Sequence, residues 1–207
     1  MSKILLINGS CHENGNTFTA LDEVRRELER HGVETEIMWL GNGPVQDCIA
    51  CGKCQQDGKM LCAFDDDGVN DILRRADTID GIIVGSPIYY GGPSGRICSF
   101  LDRLFYAASG EKLTGKIGAA VVCCRRGGAT AGFDRLNNYF LMSNMIVPSS
   151  GYWNQVHGRV PGDALQDAEG LQTMRTLAVN IAWILENMHG KGKPQYEERI
   201  ATDFIRK

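Results

Sequence analysis

Short, unbroken apolar runs that stop at Gly- and Ser-bearing loops recur along this chain, with amphipathic stretches between them. Lys3-Ile4-Leu5-Leu6-Ile7 is the first, ended by Asn8-Gly9-Ser10. Such a run reads as a strand buried on both faces of a parallel sheet. Apolar residues at Phe18, Leu21, Val24 and Leu28 then predict a helix over Thr17 to His31, stopped by Gly32. The pattern repeats: strands over Val33 to Leu40, Thr78 to Ser86, Lys116 to Cys124 and Met145 to Val147, and helices over Asp65 to Arg75, Ser94 to Tyr106, Gly132 to Met142 and Ala168 to Met188. Strand and helix in strict alternation predict an α/β fold, a doubly wound five-stranded parallel sheet in a three-layer α/β/α sandwich.

The 207 residues suffice for one domain, expected over 1–190, with a cysteine-rich insert at 41–64 that lacks periodicity and a polar tail at 191–207. No internal repeat or linker interrupts it. A net charge of -3 without a basic block argues against nucleic-acid or membrane-surface partners. No apolar run approaches the ~20 residues of a membrane span, and Met1 to Asn8 lacks a signal-peptide layout. A cytoplasmic protein is expected. Its eight cysteines then suggest metal, cluster or redox thiols rather than a disulfide scaffold.

In open parallel sheets, ligands bind beyond the carboxyl ends of the strands. The loop after the first strand, Gly9-Ser10-Cys11-His12-Glu13-Asn14-Gly15-Asn16-Thr17, leads into a helix N-terminus, where free N–H groups and the dipole favour an anion. It is neither a Walker loop, since Asn16 stands where the lysine belongs, nor a dinucleotide fingerprint, since Cys11 and Asn14 replace two of its glycines. A neutral hydroxyl-and-amide cradle for one phosphate remains, beside the plain alternative of a capped turn. Ser86-Pro87-Ile88-Tyr89-Tyr90-Gly91-Gly92 offers flat apolar surface on a stiff backbone, suited to a planar ring, or else is a turn with two surface tyrosines. Arg125-Arg126-Gly127-Gly128 either combines close backbone approach to a ligand with positive charge or is a Gly-capped turn with solvated arginines.

Together with Phe100-Leu101-Asp102-Arg103, these loops resemble the NADPH-dependent FMN reductase branch of the flavodoxin-like superfamily, over about Lys3 to Met188. The resemblance implies that Ser10, Asn16 and Thr17 hold the FMN phosphate and that Pro87, Ile88, Tyr89, Tyr90 and Gly91 line the isoalloxazine. It further implies that Arg125, Gly127 and Gly128 lie on the pyrimidine side, in a homodimer or homotetramer with the flavin near the subunit interface. Such a protein is an oxidoreductase, whose cofactor carries the chemistry. NAD(P)H is the expected co-substrate, and a quinone, flavin or other small molecule the electron acceptor.

Cys48-x2-Cys51-x2-Cys54-x7-Cys62 has the pitch at which thiolates wrap a metal–sulfur unit, and it resembles the compact motif of iron-sulfur flavoproteins, which pair FMN with a [4Fe-4S] cluster. Free or redox-active thiols and a structural zinc site are the other readings. With a cluster, the alternative function is an electron carrier fed by a ferredoxin-like partner, without NAD(P)H activity. Cys123 and Cys124 read as core thiols and Cys11 as structural. His157, in Tyr152-Trp153-Asn154-Gln155-Val156-His157-Gly158, is either a flavin-covering catalytic candidate or a hydrogen-bonded surface histidine.

Overall fold

The computed structural model describes residues 2–56, 58–109, 111–192 and 194–197. In chain order its elements are β1 (Lys3–Asn8), α1 (Asn16–Arg30), β2 (Glu34–Trp39), α2 (Lys53–Gln56), α3 (Val69–Arg74), β3 (Gly81–Tyr89), β4 (Gly92–Pro93), α4 (Gly95–Ala108), β5 (Ile117–Cys124), α5 (Ala129–Met142), β6 (Gln155–His157) and α6 (Ala168–Met188). Parallel pairing sets the order β2-β1-β3-β5-β6, and β4 folds back antiparallel on the end of β3.

Alternate residues of each central strand feed opposite cores, as the period of two requires. Leu5, Ile7, Ile82, Val84, Ala120 and Val122 pack under α3, α4 and α5. Ile4, Leu6, Ile83, Ala119 and Val121 pack under α1 and α6. The sheet is therefore the middle layer of three. Its strand order reverses direction between β1 and β3, the switch point where open α/β sheets hold ligands.

The fifth sheet strand differs from the expectation. Within Met145–Val147 only Ile146 bridges β5, at Ile117. Pro148 then takes the chain out of the sheet, having no N–H to continue the ladder. Asn154 bridges the gap: its side chain donates to the Ala120 carbonyl at 2.9 Å, and its own carbonyl accepts from Val122 N–H at 2.9 Å. Pairing resumes over Gln155–His157, residues expected to lie in a loop. The 41–64 stretch contains one helical turn, α2, and Thr78 belongs to a short 3-10 turn before β3 rather than to the strand. Of the expected tail, residues 193 and 198–207 lie outside the described residues. Among the described residues no helix is long and apolar enough to cross a membrane.

Candidate functional site

The loop after β1 is folded by its own side chains. Asn8 is buried; its Oδ1 accepts from Ser10 N–H at 3.0 Å and its Nδ2 donates to the Glu13 carbonyl at 3.0 Å. Ser10 Oγ accepts from His12 N–H at 3.1 Å, which leaves its hydroxyl proton free to donate. Helix α1 starts after Gly15, and no side chain caps it. Its first-turn N–H groups thus have no side-chain acceptor, the arrangement that favours an anion. Thr17 is buried beside Gly85. Asn16 is committed elsewhere: Nδ2 donates to the Val160 carbonyl at 2.8 Å and Oδ1 accepts from Ala164 N–H at 3.1 Å. Its side chain stitches the β6–α6 connection to α1, so toward an anion only its backbone N–H is on offer.

The end of β3 makes a tight hairpin with β4, pairing Ile88 with Pro93 and Tyr89 with Gly92. Its two central residues, Tyr90 (φ 52°) and Gly91 (φ 79°), are both left-handed, the signature of a type I′ turn. Glycine adopts that conformation freely; a fully exposed tyrosine with nothing to bury does not. Strain of this kind clusters at ligand-binding and switch regions. Tyr90→Gly is accordingly expected to raise stability by about 1 kcal/mol while weakening flavin binding, measurable by thermal unfolding with and without FMN.

Three loops meet here. Gly9 N–H donates to the Gly85 carbonyl at 2.9 Å, and the Ser94 hydroxyl donates to the Gly9 carbonyl at 2.8 Å while capping α4 through Ile97 N–H. Tyr89 Oη and Cys11 Sγ stand 3.6 Å apart. That hydrogen bond, with burial, pushes the Tyr89 phenol up to about 12. Gly128 packs backbone to backbone on Gly91, and a Cβ there would lie 2.9 Å from Gly91 Cα. Gly128 (φ 87°) also precedes α5, which no side chain caps, and Arg125, Arg126 and Gly127 beside it are exposed. Pro87, Ile88, Tyr89, Tyr90, Gly91, Gly127 and Gly128 thus share one edge of the sheet with Ser10. Sequence reasoning missed Asn8 and Ser94. A Ser directly before a helical stretch is the signal that marks Ser94 as a cap.

Cys48, Cys51, Cys54 and Cys62 line one pocket, together with Arg103 and Phe64. Burial pushes the Cys54 thiol up, and the neighbouring Cys62, Cys48 and Cys51 push in the same direction. All eight cysteines are free. Among the described residues no group of three or more His, Cys, Asp or Glu side chains is arranged to hold a metal ion. Cys123 is buried in the core, and that burial pushes its thiol up to about 12.

His157 ends β6 opposite Cys124, beside a cavity of about 220 Å³ that Tyr152 and Glu169 help to line. Its partner is Asp167: Oδ2 accepts from His157 N–H at 2.7 Å and lies 3.3 Å from Nδ1, while Oδ1 caps α6 through Gly170 N–H at 2.9 Å. Burial works against the Asp167 carboxylate, but the bonds from Gly170 and His157 prevail and hold its carboxyl below the usual range. A depressed folded-state pKa stabilises the fold above the unfolded value of about 4, and that stability is lost as pH falls through the folded value. Acid unfolding of Asp167→Asn is therefore expected to begin from a lower starting stability and to show a shallower pH dependence below pH ~4, read by denaturant titration at each pH.

Residues 2–159 match the family described as NADPH-dependent FMN reductase. The chain belongs to that family. It is 35% identical to an iron-sulfur flavoprotein of Methanocaldococcus jannaschii, covering 89% of this chain and 97% of the relative. It is 27% identical to one of Methanosarcina thermophila, over 89% and 95%. A flavodoxin, WrbA-like protein from Agrobacterium tumefaciens superposes with a TM-score of 0.61 at 17% identity, covering 90% of this chain and 99% of that one. RosB, solved with a bound riboflavin-phosphate intermediate, gives 0.67 at 15% identity over 100% and 94%. The fold is flavodoxin-like, and the family is one of flavin-dependent oxidoreductases.

Proposed function

We propose that this chain, with residues 1–190 as its flavin-binding unit, binds FMN and uses it to pass electrons from NAD(P)H to a small acceptor such as a quinone or free flavin. The observation that carries this reading is the meeting of an uncapped α1 N-terminus with a strained Tyr90–Gly91 hairpin at the β1/β3 switch point. The Ser10 hydroxyl and the backbone N–H groups at Asn16 and Thr17 hold the phosphate, a neutral cradle that relies on the helix dipole rather than on a lysine. Pro87, Ile88, Tyr89, Tyr90 and Gly91 would line the isoalloxazine. Arg125, with Gly127 and Gly128, offsets negative charge at the pyrimidine edge. Bound FMN supplies the ring that accepts a hydride and releases electrons, so no protein nucleophile is required. His157, oriented by Asp167, is the side chain nearest to a proton-carrying role.

Eight free thiols fit a cytoplasmic setting. Exposed Leu141, Met142 and Trp183 support a homodimer or homotetramer. The test is anaerobic addition of NADPH to FMN-loaded protein. Bleaching of the flavin bands, reversed by a quinone, is the expected result; bands that ignore NADPH count against the reductase.

The cysteine pocket favours a second reading, an iron-sulfur flavoprotein in which Cys48, Cys51, Cys54 and Cys62 bind a [4Fe-4S] cluster and a ferredoxin-like partner delivers the electrons. Four thiols line one pocket, and a [4Fe-4S] cluster takes four thiolate ligands. Iron analysis of anaerobically purified protein separates the readings: about four irons per chain supports the cluster, and none supports free thiols.

A further inference from the structure

Between β2 and α3 the chain runs from Leu40 to Gly68 with α2 as its only helix or strand among the described residues. A connection of that length holds one shape only where side chains pin it. The pin is Arg103 of α4, whose side chain is 0% exposed. Its guanidinium has five N–H donors, and all five are used. Nε donates to Cys62 Sγ at 3.2 Å. Nη1 donates to the Gln46 carbonyl at 3.2 Å and to Asp67, and Nη2 donates to the Phe64 carbonyl at 3.1 Å and to Asp67 Oδ1 at 3.1 Å. The guanidinium also lies over the Phe64 ring, 5.2 Å from its centroid.

Every one of these acceptors belongs to the same connection. Cys62 is gripped a second time by Asn70, which accepts from its N–H at 2.7 Å and donates to its carbonyl at 3.0 Å. A buried ion pair is weak as a stabiliser, because desolvation offsets most of its attraction; its best-attested use is to fix one arrangement. The same helix starts at Ser94, which braces the loop after β1. Latch and brace are separated by about 13 Å of helix axis.

We propose that Arg103 is a positioning residue of the cysteine pocket. It latches the 46–67 segment onto α4 and holds the Cys62 sulfur, so the pocket is shaped before anything occupies it. This rests on reading the four cysteines as a working group, whatever they bind.

The test uses full-length, iron-free, reduced protein, with alkylation of each cysteine by iodoacetamide followed by peptide mass spectrometry and amide exchange measured in parallel. In Arg103→Met, Cys62 alkylation, compared at the high-pH plateau where the thiol is ionised with or without the guanidinium, is expected to be about tenfold faster, with faster exchange across 46–67, as local opening predicts. Cys123, Cys124, the sheet amides and FMN binding stay at wild-type values. Arg103→Lys keeps the charge but only one nitrogen. It is expected to slow Cys62 again in part, without restoring exchange protection near Gln46 and Phe64. Wild-type alkylation of Cys62 in Arg103→Met overturns the proposal, as does equal acceleration of all eight thiols. If Arg103→Met does not fold, Arg103→Lys decides alone: an unchanged pattern across 46–67 overturns the latch. Wild-type protein that shows this protection but binds no FMN supports the latch and counts against the flavin function.

Discussion

Gly128→Ala is expected to cost roughly tenfold to a hundredfold in FMN affinity, about 1.4–2.8 kcal/mol. Two effects add at this residue. Its φ of 87° is left-handed backbone that an L side chain adopts only at a cost of about 1–2 kcal/mol. The new methyl would also sit 2.9 Å from Gly91 Cα, a backbone neighbour with no rotamer to turn aside. The hairpin that presents Tyr89 and Tyr90 must then move away from the third loop, and both are proposed to touch the same ring. Gly95→Ala, outside the residues proposed to touch the flavin, is the control: its φ is not left-handed and a Cβ there meets nothing within 4 Å. Fluorescence titration with FMN should find Gly95→Ala near wild type and Gly128→Ala weakened. Equal affinities for the two variants would mean that the Gly91–Gly128 contact does not shape the flavin site.

Phe140→Ala carries the largest expected effect on stability, about 3–5 kcal/mol, through lost apolar burial and the cavity left behind. Phe140 is fully buried, and Gly118 of β5 has no Cβ because one there would lie 2.7 Å from the Phe140 ring. Phe105 packs edge-on against the same ring at 5.9 Å between centroids, so neighbours on two elements lose a partner together. In a chain of this size the loss corresponds to a fall in melting temperature of roughly 6–20 °C, measurable by calorimetry. The flavin loops lie at the far end of α5, so FMN affinity measured well below the melting temperature is expected to change little. A loss of less than about 1 kcal/mol would mean that the α5 layer repacks freely around the gap.

Most of the fold was legible because its central strands are buried on both faces and therefore read as unbroken apolar runs. Ile4 to Ile7, Ile82 to Val84 and Ile117 to Cys124 carry that signal without help from distant residues. The last strand was not legible in the same way. Pro148 separates Ile146 from Gln155–His157, and the side chain of Asn154 spans the gap in the sheet, a role that period and propensity do not encode. The hairpin at Tyr90–Gly91 was equally hidden, since such turns announce themselves through Asn-Gly or Asp-Gly rather than Tyr-Gly.

The candidate site was legible at the level of loops but not of individual side-chain partners. Asn16 opens the expected helix, yet its amide is occupied by Val160 and Ala164, which stand far along the chain. Arg103 sits in a helix with an apolar stripe, where an arginine ordinarily faces water. Only the folded path of residues 46–67 brings Gln46, Cys62, Phe64 and Asp67 around it. Pairings of this kind depend on tertiary geometry, and a single sequence carries no local trace of them.

The proposed FMN site lies at the β1/β3 switch point, between the uncapped N-terminus of α1 and the Tyr89–Tyr90 hairpin. Titration of flavin-free protein with FMN, followed by flavin fluorescence, tests it most directly. Saturation at one FMN per chain with a micromolar or tighter Kd, weakened in Gly128→Ala and not in Gly95→Ala, is the predicted result. A titration that shows no binding, or binding that is indifferent to both substitutions, would contradict it.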